Sequence, residues 1–579
     1  MYDLLIKNGL IVDGTGKDAF IGDIGIKKDK IYKIGDLSQE EAAVVLDARG
    51  KVVTPGFIEP HSHADMTILY HPSAESYLMQ GVTTVVTGNC GHGMAPMGDA
   101  VYRTAVDADR KVTAELDPAF FPGMPPLFIE KEKVQGLIKQ YFDVDLDWCT
   151  FEEFNQKCET LPIDCNLVPL LGHSAVRNVV MGMDCRRAAT EEEIRQMEVL
   201  TRECMEQGSF GFSTGKDPTY EPSVYGTDEE IIRLLKIVKE YDGIFTSHTA
   251  NFVNGTFDRM TGYEEFFRQA KEAGIRSNIS HVQLENEDGD LEKAMKEARE
   301  LIAYFEKMEA EGIDLTYDIL PVADVSFVLC PYLASVFSPF VRMLDSRKRF
   351  AECLAVPDFR RMIRTVVEGG MLPSIDTRQS DGIFGRFFIS SKEGSSMQGK
   401  TISELAHAKG MDSLDYVMDL LQEDPDIKCG MNFQPCREAY DLLINHRMAM
   451  PCIDNSSSDK EADYSICPEL PEYPAPFYAN AMACYIKNST RKRLEDTIYH
   501  MTGMVAKRFQ IPKRGVIEEG YYADLVVLDP ENLKSYENNW KERKYPDGFE
   551  YVIVNGTITV KQKQHLGTAA GKVLRKVRE

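Results

Sequence analysis

The stretch Thr54-Pro55-Gly56-Phe57-Ile58-Glu59-Pro60-His61-Ser62-His63-Ala64-Asp65 decides how the chain is read. Its apolar run, Gly56–Glu59, reads as a short β-strand that ends in two histidines one step apart. Side chains alternate along a strand, so His61 and His63 project from the same face. At the C-terminal mouth of a barrel strand, two such imidazoles can grip a single ion. Alone, a His-x-His pair is a weak signal, because chance pairs and merely polar strand ends look the same.

Working outward, seven further β-like runs follow: Thr83–Thr87, Asn166–Leu171, Ser209–Ser213, Ile244–Thr246, Arg276–Ile279, Asp314–Ile319 and Met448–Ile453. Helical patterns lie between them, at Thr190–Gln207, Thr227–Tyr241, Tyr263–Ala273 and Asp290–Glu311. Thr190 ahead of Glu191, Glu192 and Glu193 is a capping box with acids at the positive helix end. Eight alternating β and α units predict an α/β fold, a (β/α)8 TIM barrel over residues 55–511. Residues 1–54 and 512–579 are rich in short strands with Gly and Asn turns. They predict one small β-sandwich domain built from both termini, although two separate terminal hairpin units would look alike in sequence. Leu4–Lys7, a turn at Asn8-Gly9, and Leu10–Asp13 read as its first hairpin. The connections after strands two and seven are long, and the segment 325–391 is a candidate lid over the barrel mouth.

The other strand ends strengthen the metal reading. Strand two ends in Gly88-Asn89-Cys90-Gly91, strand five in Ser247-His248, strand six in Ser280-His281 and strand eight in Ile453-Asp454-Asn455. The chain has 11 histidines. Four of them, with a cysteine and an aspartate, fall at predicted strand C-termini, which scatter does not readily produce. Zinc accepts imidazole, thiolate and carboxylate ligands. A catalytic zinc keeps a position open for water and lowers its pKa to about 7. A carboxylate beside that water can take its proton and deliver it to a leaving amine, and Asp454 is placed for that role. Cys90 stands out from the other cysteines, which read as small buried residues, because it sits between Asn89 and Gly91.

Bulk properties bound the rest. The 579 residues are enough for a large barrel with accessory parts. The net charge of −25 disfavours nucleic acid and anionic membranes as partners but says nothing specific about the substrate; the expected partner is a small-molecule substrate, and a homo-oligomer stays open. The N-terminal residues lack a signal-peptide pattern, and no run reaches the roughly 18 apolar residues of a membrane span. With 13 cysteines in no framework spacing, the expected setting is the reducing cytoplasm with free thiols.

The chain resembles the N-acyl-D-amino-acid deacylases (D-aminoacylases) of the amidohydrolase superfamily nearly end to end. The likeness is carried by the opening stretch, by Gly81-Val82-Thr83-Thr84 leading to Gly88-Asn89-Cys90-Gly91, and by Gly172-His173-Ser174-Ala175-Val176-Arg177. It continues in Gly211-Phe212-Ser213-Thr214-Gly215, Met501-Thr502-Gly503 and Ala523-Asp524-Leu525-Val526-Val527. The resemblance implies that Cys90, His248 and His281 hold a tight zinc. His61 and His63 would form a second, weaker subsite, and Asp454 would be the general base. The implied activity is zinc-dependent hydrolysis of a non-peptide C–N amide bond, most simply deacylation of an N-acyl-D-amino acid.

Three departures bear on the substrate. The family's lysine two residues after the strand-six histidine is Gln283 here. Its Tyr-Pro-Tyr after strand seven is Leu320-Pro321-Val322. Its carboxylate-binding arginine after the catalytic aspartate is absent, since Asn455-Ser456-Ser457-Ser458 follow Asp454. Arg177, Arg378 or Arg386 could replace it, or the substrate could lack that carboxylate; a changed pocket is the favoured reading. His173 and Gln283 remain substrate-facing candidates. The main rival is a cyclic amide (hydantoin or dihydropyrimidine) hydrolase, which would need a carboxylated lysine; Lys216 is the nearest. A deaminase would carry glutamate where Asn251 stands. A non-catalytic interaction protein on the same fold would have lost ligands that this chain keeps.

Overall fold

A computed structural model describes residues 1–577 except 99, 103–127, 218–219, 254–255, 285–289, 322–324, 328–331, 370–383, 391–394, 434–435, 460–479, 492 and 537–543. Each of the eight predicted runs is a strand: Phe57–Glu59, Val82–Thr87, Asn166–Pro169 continued by Leu171–Gly172, Gly211–Gly215, Ile244–His248, Ser277–Ile279, Leu315–Ile319 and Ala449–Pro451. All pair in parallel and in chain order. A parallel bridge between Ser62 and Asn455 joins the eighth strand back to the first. Strand residues such as Val82–Thr87 are buried throughout, as expected for parallel strands covered on both faces.

The predicted helices form and face inward for the expected reasons. Thr190 and Glu193 make the capping box of helix Glu191–Glu206. Helix Asp228–Glu240 buries Ile231, Leu234, Leu235 and Val238, one stripe at helical spacing. Helix Arg259–Ala273 starts earlier than the sequence pattern indicated, capped by Asp258, and stacks Phe266 on Phe245 of the fifth strand at 5.0 Å.

The two ends of the chain share one nine-stranded sheet. Val52–Pro55 pairs antiparallel with Leu525–Leu528, which excludes two independent terminal hairpins. Asn8-Gly9 is not a hairpin turn. Tyr2–Ile11 is one strand, and its register against Phe20–Lys27 shifts between Ile6 and Gly9. Asn8 takes a left-handed φ of 62° there, so the pair forms a bulge.

Between the seventh and eighth strands lies a unit with its own core of Leu333, Phe337, Phe350, Ile363, Phe387 and Val417. It carries the helices Arg347–Cys353, Pro357–Glu368, Ile402–Ala408 and Ser413–Glu423. Strands Val325–Phe327 and Phe387–Ile389 both pair antiparallel with Cys429–Phe433, so the unit runs beyond the 325–391 segment.

Candidate metal centre

The centre is built where the first strand meets the last. Glu59 is buried and accepts the backbone N–H of His61 at 2.9 Å and of Ile453 at 2.8 Å. The next rungs complete the join: Asp454 N–H donates to the His61 carbonyl at 3.1 Å, and His63 N–H to the Asn455 carbonyl at 2.9 Å. These bonds bring Asp454 to the two histidines. Asp454 Oδ1 lies 3.4 Å from His61 Nε2 and 3.3 Å from His63 Nε2.

Cys90 follows the second strand through a tight turn. Gly91 has a φ of 75°, and a β-carbon there would sit 2.7 Å from the Gly215 nitrogen, so only glycine fits. Cys90 Sγ is 3.2 Å from His61 Nε2 and 3.4 Å from His281 Nε2. His281 Nε2 in turn is 2.9 Å from His248 Nδ1. Three sets of donor atoms thus converge: His61, His63 and Cys90; Cys90, His248 and His281; His61, His281 and Asp454. Tetrahedral zinc with Zn–N of about 2.1 Å and Zn–S of about 2.3 Å sets its ligands about 3.5 Å apart, close to these spacings.

Two further observations fit a bound cation. Cys90, His281 and Asp454 are all non-glycine residues with left-handed backbone, at φ values of 56°, 32° and 53°. Such conformations are unfavourable and cluster where function holds them. The second ring nitrogens are also supported. His248 Nε2 lies 2.9 Å from Asp217 Oδ2, and His61 Nδ1 lies 3.2 Å from Asp318 Oδ1. Asp318 also accepts the backbone N–H of His281 at 2.7 Å and the Asn278 amide at 2.5 Å. Carboxylates behind imidazoles fix the ring that faces a metal and raise its basicity.

The electrostatics favour the anionic ligands. Burial pushes the Cys90 thiol up, but His61 and His281 outweigh it and hold the thiol well below its usual range. Burial likewise opposes ionisation of Asp454, and His61, His281 and His63 again prevail. The side chains of Asp454 and His63 remain 24% and 19% exposed while His61 is fully covered, so the centre opens on the Asp454 side.

Of the substrate-facing candidates, His173 and Arg177 turn away from this opening. His173 Nδ1 meets Ser223 Oγ at 2.9 Å and its Nε2 meets Glu230 Oε1 at 2.7 Å. Arg177 donates to both Glu230 oxygens at 2.5 and 2.6 Å and to the Cys185 carbonyl at 3.0 Å. Both side chains are fully buried, and these contacts commit them to a structural trio with Glu230. Gln283 Oε1 accepts from Arg259 Nη2 at 3.3 Å. Arg378 lies outside the described residues. Lys216 is paired with Glu265 at 3.0 Å and donates to the Gly226 carbonyl at 2.9 Å.

Asp217, Asp318 and Tyr220 are not singled out in the sequence, and His92, off the strand ends, reads there as structural or solvated. Tyr220 packs on the His248 ring at 4.1 Å, and His92 stacks on Tyr220 at 4.8 Å. The signal for Asp217 is its place just after the fourth strand, next to Lys216. Among the described residues, His500 and His565 are structural, bonded to the Ala449 carbonyl and to Asp164.

Comparison with known proteins gives one consistent family. A model described as "Amidohydrolase family" matches residues 44–560. The D-aminoacylase of Alcaligenes xylosoxydans xylosoxydans is 26% identical over 586 residues, covering 99% of this chain and 97% of that protein. The N-acyl-D-aspartate deacylase of the same organism is 26% identical, over 96% of this chain and 91% of its own. A solved D-aminoacylase, described as having a binuclear metal centre with one-metal activation and second-metal attenuation, superposes with a TM-score of 0.68 at 25% identity. It covers 99% of this chain and all of that one.

Proposed function

The chain belongs to the amidohydrolase family, and from that membership and the geometry of the centre we propose that it is a metal-dependent hydrolase of linear amides that deacylates N-acyl-D-amino acids or closely related N-acyl compounds. The ring of eight parallel strands is read as a (β/α)8 barrel, and the terminal sheet over its own core as the small β-sandwich. The observation that carries the proposal is Cys90 between His61 and His281, with Asp454 across the opening.

Cys90, His248 and His281 would hold the tighter zinc, and His61 and His63 would complete a second subsite. When bound, the ion lowers the pKa of water and polarises the scissile carbonyl. Asp454 is the general base: its Oδ1 takes a proton from the attacking water and then delivers it to the leaving amine nitrogen. The left-handed backbone at Asp454 and the Glu59 clamp fix that carboxylate's position. Asp217 and Asp318 orient His248 and His61. The D-aminoacylase and the N-acyl-D-aspartate deacylase support the substrate class. The pairing of Lys216 with Glu265 disfavours the cyclic-amide reading, which needs that lysine as a metal bridge.

The test is a hydrolysis screen of zinc-loaded protein across N-acyl-D-amino acids, N-acyl-L-amino acids and cyclic ureides. Turnover confined to cyclic ureides, or absent on all three classes, refutes the proposal.

A further inference from the structure

Asp217 can serve His248 only if its own carboxylate is held in place, and the residue that holds it is Asn251. Asn251 is three residues beyond His248, where the fifth strand gives way to a short hairpin of Phe252–Val253 and Thr256–Phe257.

Every polar group of Asn251 is engaged. Its backbone N–H donates to Asp217 Oδ1 at 2.6 Å, and its carbonyl accepts the N–H of Asp258 at 2.8 Å. In the side chain, Oδ1 accepts from Arg259 Nε at 3.0 Å, and Nδ2 donates to Asp217 Oδ2 at 2.6 Å. A guanidinium is only a donor, so Arg259 has to meet the amide oxygen, and this turns the NH2 end to Asp217.

The same reasoning places the proton on His248. Its Nδ1 faces His281 Nε2 at 2.9 Å, among the other donor atoms of the centre. A cation there needs a bare Nδ1, so Nε2 carries the hydrogen and donates it to Asp217 Oδ2 at 2.9 Å. Asn251 Nδ2 also lies 3.3 Å from His248 Nε2, but both atoms then carry hydrogen, so that approach is packing. Three N–H groups therefore converge on one buried carboxylate, two from Asn251 and one from His248. Hydrogen bonds to an ionised acceptor are the strong ones, and Asp217 cannot swing off His248 without losing those of Asn251.

We propose that Asn251 is a positioning residue that locks Asp217 onto His248 and thereby tunes the affinity of the centre for zinc. This rests on the reading of His248 as a zinc ligand.

The test is a double-mutant cycle on zinc affinity, measured by chelator competition on wild type, Asp217→Ala, Asn251→Ala and the double variant. His248→Ala serves as the reference for a lost ligand, and circular dichroism of the metal-free proteins checks folding. Asn251→Ala keeps the backbone N–H on Asp217 and is expected to raise the zinc dissociation constant by about tenfold, the lower end of the range for outer partners of a metal-binding histidine. In the Asp217→Ala background the same substitution should change it by less than about twofold, because the carboxylate it positions is gone. A residue that merely supports the loop would weaken zinc equally in both backgrounds. No change from Asn251→Ala, or an undiminished change without Asp217, overturns the assignment while leaving His248 as a ligand. Absence of tight zinc in the wild type, or an unchanged dissociation constant in His248→Ala, overturns the zinc reading and this assignment together. Asn251→Leu, which keeps the side-chain volume without its N–H donors, should repeat the alanine result. Failure of both Asn251 variants to fold marks the residue as structural and overturns the assignment as well.

Discussion

Asp217 Oδ2 lies 2.9 Å from His248 Nε2, on the side of the ring opposite the nitrogen that faces His281. The contact fixes which nitrogen is available to a metal. Asp217→Ala is expected to weaken zinc binding by about 10- to 100-fold, the range for loss of a carboxylate behind a metal-binding histidine. Competition with a coloured chelator measures it, and an unchanged dissociation constant would remove Asp217 from this role.

Cys90 is the one sulfur donor in the convergent set, and its two neighbouring imidazoles, acting against burial, favour the thiolate that a cation needs. Cys90→Ala should yield protein with less than stoichiometric zinc. Elemental analysis after dialysis decides the matter; a full complement of zinc in the variant would mean that the metal sits elsewhere.

Asp454 carries the proton transfer in the proposed reaction but is not in the Cys90, His248 and His281 set. Asp454→Asn should therefore keep the tighter zinc and lose turnover by about 10³-fold or more, toward the upper end for general acid–base catalysis. Near wild-type rates would end its assignment as base.

The trio of Glu230, His173 and Arg177 sets an acid limit on stability. Burial raises the Glu230 pKa, but His173 and Arg177 outweigh it and bring the carboxyl to about 2. The folded value is below the unfolded one of about 4.3, so the contribution is complete above that pH and is lost as pH falls toward 2. It amounts to about 3 kcal/mol. Glu230→Gln should cost about 3–5 kcal/mol at pH 7, because Arg177 is left buried without its anion, and the gap from wild type should narrow below about pH 4. Urea unfolding at pH 7, 5 and 3 checks both parts; a gap that stays constant with pH would contradict the assignment.

Much of this molecule was legible in its sequence because strand ends carry the chemistry. Short apolar runs located the eight strands, and the proposed ligands fall at or just beyond their C-terminal ends, where a parallel strand delivers side chains to a common mouth. What stayed hidden depends on contacts between distant segments. Asp217 and Asp318 are ordinary acids in the sequence and acquire meaning only opposite His248 and His61. Arg177 looked available, yet packing against Glu230 claims it. Asn8-Gly9 has hairpin chemistry, but pairing with the neighbouring strands of the terminal sheet turned it into a bulge. The unit between strands seven and eight revealed its own core only once its helices were packed.

The Glu59 carboxylate touches the backbone of His61 and Ile453, residues just beyond the first and the eighth parallel strand. One side chain therefore makes ligand placement conditional on circularisation. A nascent or truncated chain ending before Ala449 can present Cys90, His248 and His281 but has no Asp454 and no second anchor for Glu59. Such a chain could gather a metal without being able to use it, so the hydrolytic step is the last property the fold acquires.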